Sequence, residues 1–159
     1  MSNDIFPLQP VLSVKESILE ELRVQLGKLL VAQAEAMALL AELQAERTRS
    51  DVALAAARGR GLLRMDDIRQ LEAYIEHLDQ AIVRQKAVIA ELDVQVNAMR
   101  DQVGEAHKEV KMLNKLKERA VKARAHEVAI AETKMNDELA VAQFYRRRDL
   151  ETQSELQGA

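Results

Sequence analysis

Two long runs of apolar residues spaced by three and four constrain this chain more than any other feature. The first passes through Leu12, Leu19, Leu22, Leu26, Leu29, Ala36, Leu40 and Leu43, with Lys15 and Gln33 as interruptions. It fades after Leu43, where Arg47 and Ser50 take the seam positions, and helical residues continue to about Ala57. The second starts at Ile68, Leu71, Ile75, Leu78 and Ile82 and ends at Val103, Ala106, Val110 and Leu113, with Gln85 as its one break. Spacing of this kind holds one stripe of a helix against a partner helix. Two such stripes in one chain predict that the helices cover each other.

The break between them is Arg58-Gly59-Arg60-Gly61. Each glycine weakens a helix by about 1 kcal/mol relative to alanine, and each tolerates the positive φ of a turn. The reversal is expected here. The next helix should open near Asp66 or Asp67, where a carboxylate can cap free amides and sits well in the positive end of the macrodipole. The expected fold is all-α: a long antiparallel two-helix coiled coil, an α-hairpin, with an extended C-terminal helix. It forms one domain over 1–159, with a first helix at about 12–57, a turn at about 58–65 and a second helix at about 66–148. Residues 1–10, which hold both prolines, read as a lead-in.

The arms are unequal. A first helix of about 46 residues spans roughly 70 Å, and folded back it covers the second only to about Leu113. There the spacing slips. Continuation through Lys117, Val121, Ala125, Val128, Glu132, Met135, Leu139 and Ala142 needs steps of three, four and four, a stutter that locally unwinds a left-handed coil. The rest of the second helix would carry an apolar stripe without cover. Because most helical stability comes from packing, this overhang is expected to fray alone and to bind something.

Composition excludes several alternatives. Aromatic residues are 3% of the chain and β-branched residues are sparse, so pleated faces cannot be filled. There is no Cys, hence no disulfide and no Cys-ligated metal. Met1-Ser2-Asn3-Asp4 lacks a basic region and no apolar run follows it, so no secretory signal is read. No stretch approaches the roughly 20 uninterrupted apolar residues of a spanning helix. The richest, Leu29 to Leu43, is broken by Gln33, Glu35 and Glu42. A formal net charge of −3 argues against nucleic-acid binding as the main activity.

Charge is placed unevenly. Residues 66–101 hold eight acids and four bases, whereas 104–126 hold seven bases against three acids. Lys115, Lys117, Arg119, Lys122 and Arg124 lie in the basic stretch, and Arg146, Arg147 and Arg148 add a cluster further on. Such residues are either solvated helix faces or a basic surface on the overhang that meets an acidic partner. No catalytic constellation is present. His77, His107 and His126 lack ligand spacing, and neither HExxH nor a phosphate loop occurs. Asp66, Asp67, Glu72 and Glu76 cluster near the turn, but a two-helix hairpin offers no pocket to desolvate them. No catalytic, cofactor-binding or metal residue is assigned, and no enzyme activity is expected. Tyr74 lies beside seam residue Ile75 and is either core-flanking or an exposed contact. Phe144 and Tyr145 are the other aromatic candidates.

Four segments resemble the FliJ family of flagellar type III export proteins. They are Phe6-x-Leu8-x-x-Val11-Leu12 with Lys15-Glu16, then Tyr74-Ile75-x-x-Leu78-x-x-Ala81-Ile82, then Leu113-x-Lys115-Leu116-Lys117-Glu118-Arg119, and finally Asp137-Glu138-Leu139-Ala140. Nearly the whole chain is covered, and the related injectisome stalk proteins share the architecture. The resemblance implies a non-enzymatic, cytoplasmic stalk and adaptor of the export apparatus, similar to the shaft of F-type ATP synthase. Such a protein inserts in the hexameric export ATPase, contacts the export-gate protein FlhA and escorts export chaperones. It meets the inner-membrane apparatus only through those partners. The resemblance puts the gate contact near the hairpin tip, at Tyr74, Leu78, Ala81 and Gln85 on the second helix and at Leu40, Leu43 and Arg47 on the first. Leu40, Leu43, Leu78 and Gln85 are also seam positions, whose other reading is packing. The ATPase ring would meet the N-terminal segment and the overhang with its cations. The alternative function is a structural coiled-coil tether or homo-oligomeric scaffold in which the overhang pairs with itself.

Overall fold

The computed structural model describes residues 6–61 and 64–158. It contains helix α1, Gln9–Arg60, and helix α2, Met65–Gln157. The two pack against each other as an all-α helical hairpin, with no strand among the described residues. The chain divides into two compact units. One is Lys15–Lys108. The other combines the residues up to Val14 with those from Glu109 onward.

Within the unit Lys15–Lys108, contacts between the helices fix direction and register. Arg58 pairs with Glu72, Arg47 Nε lies 2.9 Å from Asp79 and the Tyr74 hydroxyl lies 3.2 Å from Glu46. The Gln85 amide donates to the Ala36 carbonyl at 2.9 Å, and Gln33 donates to Asp93. From Arg58–Glu72 through Ala36–Gln85 to Gln33–Asp93, residue numbers on α2 rise as those on α1 fall, which only an antiparallel pair does. Leu19, Ala36, Leu54, Ile75, Leu78 and Val96 are buried along the seam. Each apolar side chain fully removed from water contributes about 1.5–3 kcal/mol. Both residues at which the first run weakens keep their seam places: Arg47 is half-buried and Ser50 is buried.

The polar interruptions bond across the interface. Gln33 and Gln85 are half-buried, and each has a partner on the opposite helix. A buried amide left unsatisfied would cost about 1–3 kcal/mol. A slip of register would therefore strand two amides as well as misalign the leucines.

At the turn, Gly61 has φ of +61° and is the one positive-φ residue among those described. A side chain at this position would crowd the backbone, and glycine takes the conformation without steric cost. Residues 62 and 63 of the expected turn, and the first five residues of the lead-in, lie outside the described residues. The start of α2 differs from expectation. The Arg64 carbonyl accepts from the amides of Asp67 and Ile68, so Arg64 stands at the cap. Asp66 and Asp67 fall in the first turn instead, where their charge still favours the positive end of the macrodipole.

In the second unit, Phe6, Leu12 and Val110 are buried, Leu12 to 1% exposure. α1 begins three residues before Leu12. Pro10 does not block it, because a first-turn residue needs no intrahelical amide bond. Cover on α2 extends past Leu113: Lys117 and Ala120 are half-buried, at steps of four and three that keep the heptad phase. Val121, expected on the seam, is 47% exposed, and every described residue from Val121 onward is exposed. The seam thus ends in phase at Ala120 and does not pass through the expected stutter. Beyond that point no partner helix selects one phase over another.

α1 is also more apolar than its uninterrupted runs suggest. An 18-residue window within Gln9–Gly59 reaches a mean hydropathy of 1.3, so by length and composition α1 is apolar enough to cross a membrane. The expectation from uninterrupted runs missed this, because the apolar residues lie on two faces of one helix. The seam faces α2, while Val24, Val31 and Met37 are exposed.

The burial pattern predicts that Leu78→Ala, at a residue 4% exposed, destabilises the fold by about 2–4 kcal/mol. Val83→Ala, off the seam and exposed, should change stability by less than about 0.5 kcal/mol. Urea unfolding followed by circular dichroism measures both.

Candidate functional site

The candidate contact residues fall into two sets, and each set lies within one unit. Tyr74, Leu78, Ala81 and Gln85 share one side of α2 because steps of three and four return to the same face. They lie within about 30 Å of the start of α2 at 1.5 Å per residue. Leu78 is buried, whereas Ala81 and Gln85 are half-buried. Leu40, Leu43 and Arg47 on α1 are half-buried. Tyr74 is the most open of the seven, at 42% exposure.

Tyr74 is held by a small polar network. Its hydroxyl donates to Glu46 at 3.2 Å, and Glu46 also accepts from Arg49 at 2.6 Å. The Arg49 bond lowers the Glu46 carboxyl pKa from its ordinary value; desolvation opposes this, and the Tyr74 hydroxyl adds a smaller lowering effect. Burial pushes the Tyr74 phenol up, and the Glu46 charge pushes it further. Arg47, the neighbour of Glu46 in sequence, is held charged mainly by its bond to Asp79 and also pairs with Asp51 at 3.3 Å. The ring of Tyr74 is thus fixed at one end while much of its face stays open, as suits an aromatic contact.

Sequence reasoning did not single out Glu46 as the partner of Tyr74, nor Leu54 as a core residue. The signal for both was present. Carrying the heptad through Arg47 and Ser50 reaches Leu54, and the antiparallel register then sets Glu46 across from Tyr74.

In the other unit, Lys115, Arg119, Lys122, Arg124, Arg146, Arg147 and Arg148 are exposed, while Lys117 is half-buried on the seam. Arg124 lies 3.7 Å from Glu127, a loose pair worth little in water. Val128, Met135, Leu139, Phe144 and Leu150 are exposed along the same helix. The Phe144 and Tyr145 rings meet edge to face at 6.0 Å. This segment presents cations and bare apolar side chains together, the combination with which a helix binds another protein surface.

Two concavities along α2 are lined by α2 alone. One is formed by Glu76, Asp79, Gln80, Val83 and Arg84, another by Asn114, Lys117, Glu118, Val121 and Lys122. They are grooves between successive turns. Among the described residues no group of three His, Cys, Asp or Glu side chains could hold a metal.

A coiled-coil protein whose candidate contact surfaces are helix faces is the class these features define. The model of the flagellar FliJ protein family matches residues 4–149, and the chain belongs to that family. It is accordingly a flagellar export-related protein, and the family is a structural export component that is not known as an enzyme family. No curated protein and no solved structure matches the chain.

The Tyr74–Glu46 pair has a titration signature. A raised phenol pKa contributes stability below the unfolded value and loses it as pH rises through the folded one. A lowered carboxyl contributes above the unfolded value and loses it as pH falls through the folded one. In a Tyr145→Phe background, phenolate absorbance then follows Tyr74 alone, since the chain has two tyrosines. Glu46→Gln should lower the Tyr74 midpoint toward the ordinary phenol value, and an unchanged midpoint would rule out the Glu46 contribution.

Proposed function

We propose that this chain is a stalk and adaptor of the flagellar type III export apparatus. It inserts in the hexameric export ATPase, links that ring to the export-gate protein FlhA and escorts export chaperones. It works in the cytoplasm, at the inner-membrane export apparatus, and is held there through its partners. Membership of the FliJ family carries this reading, together with the exposed, cation-bearing helix beyond Ala120.

The division of labour rests on the chemistry each surface offers. The segment after Ala120 lacks a partner helix within the described fold and displays Lys122, Arg124 and the Arg146–Arg148 cluster. Its cations suit an acidic lining, and its apolar residues gain burial only by docking. Tyr74 is an anchored aromatic on a paired region, suited to contact with the gate. The chain itself hydrolyses nothing; it promotes ring assembly or turnover in the ATPase.

Arg119→Glu combined with Lys122→Glu should abolish stimulation of the export ATPase and its co-elution with the ring, with helicity unchanged. Retained stimulation would sink the basic-surface assignment. Tyr74→Ala should weaken FlhA binding by about tenfold, in line with loss of an aromatic interface anchor, and leave ATPase stimulation intact. A large loss of helicity in that variant would instead assign Tyr74 to the core.

A further inference from the structure

The outward face of α1 carries a long uncharged stripe. Opposite the seam runs a second heptad, from Val24 through Val31, Ala38 and Ala45 to Val52 and alternating with Gly27, Ala34, Ala41 and Thr48. All of these are exposed and none is charged. Leu30 and Met37 border it and are exposed as well. The corresponding outward positions of α2 carry charge at Arg69, Glu76, Asp101 and Lys108 but are uncharged and exposed between Gln80 and Asn97, including Val83, Ala87, Ala90 and Val94, so the stripe on α1 is the longer of two. Gly27 lies on this stripe and, like Gly104 on the outward face of α2, is a helical glycine with nothing within 4 Å of where its Cβ would be.

We infer that this face is a docking surface for a second copy of the chain, with the two α1 helices antiparallel and their two-fold axis near Ala36. Self-complementarity selects this occupant. In that register Val24 meets the partner's Thr48, Val31 meets the partner's Ala41, Ala34 meets the partner's Ala38 and Gly27 meets the partner's Ala45. Large faces small in the outer layers, and the missing Cβ of Gly27 lets the backbones approach. The flanks agree. In antiparallel coils, each flank pairs with its own counterpart on the partner. On one flank Lys28 meets the partner's Glu42, and Glu21 meets the partner's Arg49. On the other, Arg23 meets the partner's Asp51. By symmetry each pair occurs twice.

Two of these residues also have partners in their own chain. Arg49 pairs with Glu46 at 2.6 Å and Asp51 pairs with Arg47 at 3.3 Å. Lys28 and Glu42 form no ion pair among the described residues, so they carry the test. One contact opposes association: Glu35 meets its own copy near the axis. The core is built mostly of small residues, so the dimer is weak. The surface lies within Lys15–Lys108 and includes neither Tyr74 nor any overhang residue, and its pairing is independent of the proposed export role.

Sedimentation equilibrium of the full chain tests this, at concentrations up to about 1 mM, the range of weak specific association. The wild-type chain should show a monomer–dimer equilibrium. Lys28→Glu and Glu42→Lys should each weaken it by about tenfold, because each turns two attractive pairs into two repulsive ones. An equimolar mixture of the two variants should associate again, since every Lys28–Glu42 pair in the mixed dimer is then of opposite charge. Glu35→Gln should tighten the wild-type dimer. Circular dichroism checks that all variants keep the wild-type helicity. A wild-type chain that stays monomeric throughout overturns the inference. So does a dimer indifferent to Lys28 and Glu42, which would lie on another surface such as the overhang. A monomer that pellets with phosphatidylglycerol vesicles through this face would assign it to a lipid surface and overturn the inference as well.

Discussion

Mutual burial of one heptad stripe on α1 and one on α2 is the interaction on which the rest of this structure depends. Neither helix has another layer to pack on, and a long helix gains most of its stability from a covered face. Leu19, Ala36 and Leu54 on one side and Ile75, Leu78 and Val96 on the other supply the burial. The polar members of the stripe supply register. Gln85 reaches the Ala36 carbonyl and Gln33 reaches Asp93, so the seam is both an apolar contact and a ruler. Exposed pairs such as Arg58 with Glu72 reinforce the same alignment at small energetic weight.

The unequal lengths of the helices turn that constraint into contact surfaces. α1 has 52 residues and α2 has 93, so a large part of α2 has no helix of this chain to lie against. The change from half-buried Ala120 to exposed Val121 marks the limit of cover. Apolar side chains and cations beyond it are available to a partner, as the export role of the FliJ family requires under the proposed reading. Where the helices are paired, the seam is committed to the fold, and contacts with a partner fall to residues beside or opposite it. Tyr74 is such a residue, tethered to Glu46 and open on its face.

Much of this was legible in the sequence, for a physical reason: heptad spacing reports the covered face of a helix directly. The order of helices, the reversal at the glycine pair and the seam from Ile68 to Leu113 are all set by spacing and two glycines. Spacing does not reveal where cover stops. Ala120 keeps the heptad phase of Leu113 and Lys117 whereas Val121 does not, but only the reach of the opposing chain decides that cover ends there. Phe6 lies buried in a segment read as a lead-in, because two nearby prolines mask how early the helix begins. The cap at Arg64 was hidden because two adjacent aspartates give a stronger signal than the residue that performs the task. For the candidate contacts, seam phase already separated Leu78 from Tyr74, whereas the Glu46 partner that fixes the Tyr74 ring was not singled out. Leu78 is committed to the seam and Tyr74 is not, a distinction that rests on a phase difference of one residue around the helix.

If pairing ends at Ala120 and the helix beyond it binds the partner, amide hydrogen exchange along α2 should show both. The most direct measurement compares the free chain with the chain bound to the hexameric export ATPase. The expected result is slow exchange through Ala120 and fast exchange from Val121 to Gln157 in the free chain, with the latter slowed on addition of the ATPase. Equal protection on both sides of Ala120 in the free chain, or no slowing beyond it when the ATPase is bound, would contradict it.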